Sequence, residues 1–396
     1  MNPKLLLSLA LAVSAGLSGG CANAPPVANA QISEIKMFNP REGWAQANVP
    51  DGYLVLRTSN GGHTWINVTP HMQTRAFPYN LYSCEFSKAR TAWLSINGRP
   101  GLLLTTNGGS SWAPVTAPFG YFTEASAVHF YRADLAMAEV ADGGLGSEYY
   151  TFYETRNGGM TWKLVPIAPP GPAEGETPGT LHLSNICGDE VGFYERGKFV
   201  ITYGDSDDKP KGYISLSIST NFGNSWQDEK LPLPDKWRDD YTAPFSPVFF
   251  GPNDGFLPVE LFGQDDHSRA YREFLLYATG DGGQSWSLMT SLAEGKNGLT
   301  GGACDIISRK DIVVRMGRKL NVSHNGAVTW RTIEPNIDLG LEDSKRDVAQ
   351  MSFTDARHGW LIISDDTRFS PNGNFLLYQT KNGGKTWKEV PVRISN

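Results

Sequence analysis

Short runs of apolar and β-branched residues recur along the chain, each closed by a polar, glycine-rich interruption. Several are almost continuously apolar or aromatic: Tyr53-Leu54-Val55-Leu56, Gly101-Leu102-Leu103-Leu104, Tyr149-Tyr150-Thr151-Phe152-Tyr153, Phe274-Leu275-Leu276-Tyr277 and Phe375-Leu376-Leu377-Tyr378. Runs of this length fit strands, and the lack of alternation marks strands covered on both faces. A second cue stands ahead of most of them, a Phe followed five or six residues later by Gly-Trp or a similar pair. It reads Phe38…Gly43-Trp44, Phe86…Ala92-Trp93, Cys187…Gly192-Phe193, Phe250…Gly255-Phe256 and Phe353…Gly359-Trp360. Phe130 with Leu135-Ala136, and Ile306 with Ile312, are weaker versions.

After each apolar run comes an eight-residue stretch of the form Ser/Thr, any, Asp/Asn, any, Gly, any, Ser/Thr, Trp. Seven copies are present, with third, fifth and eighth residues Asn60, Gly62, Trp65; Asn107, Gly109, Trp112; Asn157, Gly159, Trp162; Asn221, Gly223, Trp226; Asp281, Gly283, Trp286; Asn325, Ala327, Trp330; and Asn382, Gly384, Trp387. Asn-Gly or Asp-Gly between apolar runs predicts a hairpin turn that needs positive φ. The Asn or Asp side chain is placed to accept backbone N–H groups just downstream, and the Trp to cover the turn. Ala327 replaces the fifth-place glycine, so that turn is expected to be strained or differently shaped. The Trp residues are spaced by 47, 50, 64, 60, 44 and 57 residues. A period of this size predicts propeller blades. In the first repeat the four strands read as Ile32–Phe38, Gly43–Asn48, Gly52–Thr58 and Thr64–Val68.

The eight-residue stretch resembles the Asp-box, also called the bacterial neuraminidase repeat. Seven Asp-boxes with their Phe…Gly-Trp elements are similar to the photosystem II stability/assembly factors and their relatives in non-photosynthetic bacteria, over about Ile32 to Val392. The resemblance implies an all-β, seven-bladed β-propeller of four-stranded antiparallel blades, with an Asp-box in each strand 3–4 turn. It also implies a non-enzymatic, exported or membrane-associated protein that helps assemble membrane complexes, with Asp-boxes as structural turns away from the binding site. By the repeat register each blade is one continuous segment. Closure is then expected from packing the first blade on the seventh, with no strand exchanged between the ends.

Composition agrees with a turn-rich β protein: 40% hydrophobic residues, 43 Gly, 25 Pro and 11 Trp in 396 residues. A net charge of -6 gives no footprint for nucleic acid. Lys4 followed by the apolar run Leu5 to Leu17 is a targeting segment too short to span a membrane as a helix. Leu17-Ser18-Gly19-Gly20-Cys21 resembles a lipobox, which favours Cys21 as a lipidated N-terminus, although Ser18 replaces the expected Leu. Cleavage after Ala24 or Ala30 is the alternative. Residues 1–30 are thus read as signal and tether, and residues 31–396 as the propeller, placed in the cell envelope or secreted. Cys84, Cys187 and Cys304 lie in apolar runs and read as buried free thiols.

In an antiparallel four-stranded blade the strand 1–2 and 3–4 turns share one face. The strand 2–3 loops and the crossings between blades share the other, where varied chemistry belongs. The 2–3 loops are acidic at Asp142, Glu148, Asp205, Asp207, Asp208, Asp265, Asp266, Asp365 and Asp366. The crossings are rich in aromatics, and Tyr79, Tyr121, Trp237 and Tyr241 are the candidate partner face. The reading is a non-catalytic scaffold for a protein partner, acting as a monomer and touching the membrane through its lipid; a glycan is the second option. No cofactor is expected; Asp205 to Asp208 lacks the Gly and Glu of an EF-hand, and no zinc spacing is present. The rival is a sialidase-like or xyloglucanase-like glycoside hydrolase, for which Tyr241 with Asp239 or Asp240, and Glu260, are the catalytic candidates. A sortilin-like peptide receptor is a third class, but its cysteine-rich second domain is missing from the sequence.

Expressed in a bacterial host with a fatty-acid probe, the chain should take up label, and Cys21→Ala should abolish it. An N-terminus mapped to Gln31 would refute lipidation.

Overall fold

The computed structural model describes residues 30–49, 52–70, 81–96, 102–115, 127–130, 134–143, 148–165, 181–183, 190–194, 198–203, 210–221, 225–265, 268–293, 304–339, 347–364 and 375–395. They form seven mostly antiparallel sheets arranged as blades. The first blade consists of Gln31–Met37, Gly43–Val49, Gly52–Thr58 and Trp65–Asn67, paired in sequence order. The sixth and seventh repeat this plan with Cys304–Ile306, Ile312–Met316, Lys319–Ser323 and Arg331–Ile333, then Asp347–Phe353, Gly359–Ser364, Phe375–Thr380 and Trp387–Glu389. Among the described residues the helical content is a single 3-10 turn, Asp235–Trp237.

The continuous apolar runs become inner strands because a neighbouring blade covers each face. Every described core cluster straddles two adjacent blades. Trp44 and Val55 of the first blade meet Phe86 and Leu94 of the second. Phe256 and Leu276 of the fifth meet Ile312 and Val314 of the sixth. Ile35, Leu56 and Trp65 of the first meet Trp360, Ile362 and Leu377 of the seventh, which closes the ring. Trp44 stacks on Phe86 with ring centroids 5.5 Å apart. Its indole Nε1 donates to the Lys88 carbonyl of the next blade at 2.9 Å. The Phe…Gly-Trp element has a steric reason: a Cβ on Gly359 would lie 2.6 Å from the Phe353 ring, so the glycine lets that ring lie flat on the hairpin.

The structure departs from the sequence reading in three places. First, an additional strand closes the ring. Ile394–Ser395 pairs in parallel with Trp65–Asn67, the outer strand of the first blade. Trp65 N–H also donates to the Arg393 carbonyl at 2.8 Å. The last strand of the seventh blade ends at Glu389, ahead of Pro391, and Ile394–Ser395 is a separate strand. Second, the fourth blade is shifted. Gly192 and Phe193 lie in its first strand, Glu190–Tyr194, and the second is Lys198–Tyr203, with Phe193 opposite Phe199. Val200 and Ile201 are fully buried there, so this apolar run takes the inner position. Third, the first strand of the fifth blade is split into Tyr241–Pro244 and Val248–Phe249, both on Gly255–Asp265. A short strand, Leu181–Leu183, pairs beside the third strand of the third blade, Glu148–Thr155, below the stretch covered by Lys163–Val165.

Ile394 is 9% exposed and belongs to the cluster that joins the first and seventh blades. Ile394→Ala should therefore cost about 2 kcal/mol, the low end for a buried Ile→Ala change. Denaturant unfolding of the purified chain checks this; a change well under half that value would mean that the strand does not fasten the ring.

Candidate functional site

The repeated turn is organised from its first residue. Thr58 is 1% exposed, and its Oγ1 accepts the Gly62 N–H at 3.0 Å and the Asn60 N–H at 3.3 Å. The same hydroxyl donates to Asn60 Oδ1 at 3.0 Å. Asn60 Oδ1 also accepts the Thr64 N–H at 3.0 Å, and its Nδ2 donates to Thr64 Oγ1 at 2.8 Å. The bond to the seventh residue's N–H recurs in all seven copies, at Asn107, Asn157, Asn221, Asp281, Asn325 and Asn382. Asp281 differs by accepting the Ser285 hydroxyl as well, at 2.5 Å. That bond and the other Ser285 contact are the main reasons its carboxyl is lowered to about 2. The sequence reading gave roles to the Asn and the Trp but none to the first Ser/Thr. Its signal was a hydroxyl in every copy, all buried.

The turn also joins neighbouring blades. A Cβ on Gly159, at φ +80, would lie 2.1 Å from Trp93 of the preceding blade. Gly109 against Val68 and Gly384 against Leu320 repeat this approach at 2.4 and 2.6 Å. Gly62 and Gly283 also have positive φ, and Gly223 lies outside the described residues. Ala327 is the one non-glycine residue of positive φ among the described residues, at 66°. It is 2% exposed and packs between the fifth and sixth blades, so the expected strain is present and its methyl fills the interface. Trp65, Trp286 and Trp387 are buried, whereas Trp112, Trp162, Trp226 and Trp330 are half-buried. The fourth-place N–H of six turns donates to a strand 1–2 hairpin carbonyl, as Gly61 to Arg41 at 2.8 Å and Gly383 to Arg357 at 2.9 Å. This end of the molecule is therefore uniform, and its backbone donors are used internally.

Polar groups also join the blades along the first strands, where the sheets converge. Lys36 Nζ lies 3.0 Å from Glu85 Oε1, joining blades one and two. The Ile35 N–H donates to Gln350 Oε1 of the seventh blade at 2.8 Å. Asp305 of the sixth accepts the Phe353 N–H of the seventh. Burial pushes the Asp305 carboxyl up to about 6 against this bond. Burial, then Asp305 and Glu260, push the Cys304 thiol well up; burial, Glu34 and Glu85 do the same to Cys84. Both are free, as expected from sequence, but half-buried and not fully enclosed. Cys187 lies outside the described residues.

The loop-bearing face is described mainly between blades four and five. Asp235–Trp237 makes the crossing there. Trp237 is 4% exposed and packs among Leu233, Leu257 and Leu261. Tyr241, also 4% exposed, lies in a strand and not in a crossing. Neither side chain is available as an open partner surface, which corrects the sequence reading. An aromatic in a Pro-rich crossing covers the blade below it more readily than it stands in water. The exposed groups at this crossing are Asp235, Lys236, Arg238 and Asp239. Lys236 Nζ sits 3.7 Å above the Trp237 ring and 3.7 Å from Glu273. Tyr79, Tyr121, Cys21, the acid-rich segment around Asp205 to Asp208, Asp266, Asp365 and Asp366 lie outside the described residues.

Register brings the hydrolase candidates closer than sequence spacing could. Tyr241 pairs with Phe262 and Ala243 with Glu260, so Tyr241 and Glu260 share one face of the sheet, two positions apart. Asp240 precedes the strand, at the end of the crossing. Asp240 and Glu260 are 4% and 6% exposed, enclosed in the blade wall. Asp239 is at the surface. No group of three or more His, Cys, Asp or Glu side chains is placed to hold a metal among the described residues.

No protein-family model matches the chain. It is 27% identical over 176 residues to the chloroplastic photosystem II stability/assembly factor HCF136 of Oryza sativa subsp. japonica, covering 44% of this chain and 37% of that one. The match therefore spans little more than a third of that relative's length. Among solved structures, YCF48 bound to a D1 peptide is 14% identical with a TM-score of 0.53, covering 90% of this chain and 93% of that one. A GH74 xyloglucanase from Xanthomonas campestris is 15% identical with a TM-score of 0.42, covering 91% and 62%, too distant in shape to bear on the assignment. The chain is thus a seven-bladed propeller similar to the photosystem II stability/assembly factors.

The turn network gives a specific expectation. Thr58→Val keeps the shape but leaves the buried Gly62 N–H unpaired, and should cost about 1–3 kcal/mol. Thr58→Ser should restore most of it, since Ser219 and Ser323 hold the same place in two other blades. Equal unfolding curves for Thr58→Val and wild type would show that the hydroxyl is dispensable.

Proposed function

We propose that the chain is an exported, non-catalytic propeller scaffold. It binds a segment of a protein partner through its loop-bearing face and assists the assembly or stability of a membrane complex. A lipid on Cys21 would hold it in the cell envelope beside that partner. The observation that carries this reading is its likeness, over nine tenths of both chains, to a propeller solved with a peptide bound. The match to a photosystem II assembly factor points the same way. The enclosure of Asp240, Tyr241 and Glu260 in the blade wall favours it over hydrolysis, which needs two carboxyl groups flanking an accessible glycosidic bond.

The partner surface would use exposed groups such as Lys236 and Arg238, 60% and 66% exposed at the side chain. The full chain should capture a membrane protein from the native membrane fraction. Lys236→Glu with Arg238→Glu should weaken capture, by about tenfold for loss of complementary charge. The same preparations should leave chromogenic sialosides and β-glucans untouched. Glycoside turnover that disappears in a folded Glu260→Gln variant would move the assignment to a hydrolase.

A further inference from the structure

Each blade ends in an outer strand whose far edge has no strand beyond it unless another segment supplies one. Such an edge is a template for pairing, and proteins guard it with charge, proline or shortness. Six of the seven described outer strands are guarded. The first blade's is covered by Ile394–Ser395. The second has three residues with Pro114 in the middle. The third begins with Lys163 and the sixth with Arg331. The fourth carries Asp228, Glu229, Lys230 and Pro232, and the seventh Lys388 and Glu389.

The fifth is different. Ser287–Ala293 reads Ser-Leu-Met-Thr-Ser-Leu-Ala, the longest of the outer strands at seven residues, with neither charge nor proline. Leu288 and Met289 are 37% and 43% exposed. The inner partner, Ser268–Thr279, is the longest strand among the described residues, at twelve, and holds this edge along its length. Met289 is an extra residue between Leu288, opposite Tyr277, and Thr290, opposite Leu276, a bulge that twists the start of the edge; from Thr290 to Ala293 the pairing is regular and the edge is unguarded.

From this we infer that the rim of the fifth blade is a self-association surface. Two copies of the chain pair antiparallel along the regular part of this edge, Thr290–Ala293, about a twofold axis, joining two blades into one continuous sheet. A second copy fits because the contact is isologous, so the same strand faces itself. A charged edge would set like charges against each other under that symmetry. This edge sets uncharged side chains against uncharged ones in every register. The first blade shows that an outer edge of this propeller takes an added strand. The inference goes beyond the proposed function: it concerns the rim, leaves the loop face open, and replaces the monomer expected from sequence.

Sedimentation equilibrium of the full chain over a concentration series tests it. Wild type should be a reversible dimer. Thr290→Lys and Thr290→Glu, at the middle of the strand, should each be monomeric with an unchanged circular dichroism spectrum, and should pair when mixed. Should the Thr290 variants fail to fold, Met289→Lys, whose side chain already faces solvent, decides the matter in the same way. A wild type that stays monomeric throughout would overturn the inference, as would a folded lysine variant that still dimerises. Uptake of an extended peptide along this edge by a monomeric wild type would also overturn it.

Discussion

A four-stranded blade with apolar side chains on both faces has no interior of its own. Its hydrophobic burial is completed by the neighbour on each side, so stability belongs to pairs of blades. The clusters follow this rule, each drawing residues from two adjacent blades. A linear array would leave two faces bare, so the ring must close. Closure here combines the packing of Ile35 and Trp65 against Trp360 with the added strand Ile394–Ser395. The other features serve that packing. Glycine in the turns admits a neighbour's side chain, as Gly159 admits Trp93. The buried hydroxyl of Thr58 satisfies backbone donors that the packing takes out of water.

Much of this was legible because it repeats. Seven turns with one form and seven Trp residues at blade-like spacing define the blade count, and the apolar third strands define which strands are enclosed. The closing strand was not legible because two residues have no periodicity to detect. The fourth blade was misplaced for a related reason. Gly192-Phe193 and the run beginning Phe199-Val200-Ile201 both look like the start of a second strand, and burial in three dimensions decides between them. Trp237 and Tyr241 illustrate a third limit. Composition identifies an aromatic, but whether its ring covers a strand end or faces a partner depends on the blade beneath it. Lys236, seated on the Trp237 ring, is among the groups that crossing shows to the solvent, with Asp235, Arg238 and Asp239.

The same distinction separates chemistry from architecture at the candidate site. Strand register sets Tyr241 and Glu260 on one face, a juxtaposition that sequence spacing could not reveal. Yet a catalytic pair acts on a bond that must reach it, and both residues are nearly solvent-free. Asp305 and Cys304, half-buried in a first strand, show what partial burial does: the carboxyl is pushed up to about 6 and the thiol well up. Raised pKa values here follow from blades converging, and do not by themselves mark reactivity.

The molecule therefore presents surfaces of different kinds. The turn end is repetitive, and its N–H groups are spent on Thr58-like hydroxyls and on hairpin carbonyls such as Arg41's. Little remains there to discriminate one partner from another. The loop end is free to vary because the blade cores do not depend on it. The rim is set by how each outer strand ends its sheet. Charge and proline end it in most blades, and an added strand ends it in the first. In the fifth blade the sequence leaves the edge long and neutral. A scaffold that uses its loop end for a partner would keep that end unobstructed if copies met at the rim, since the two surfaces lie on different sides of the same sheets.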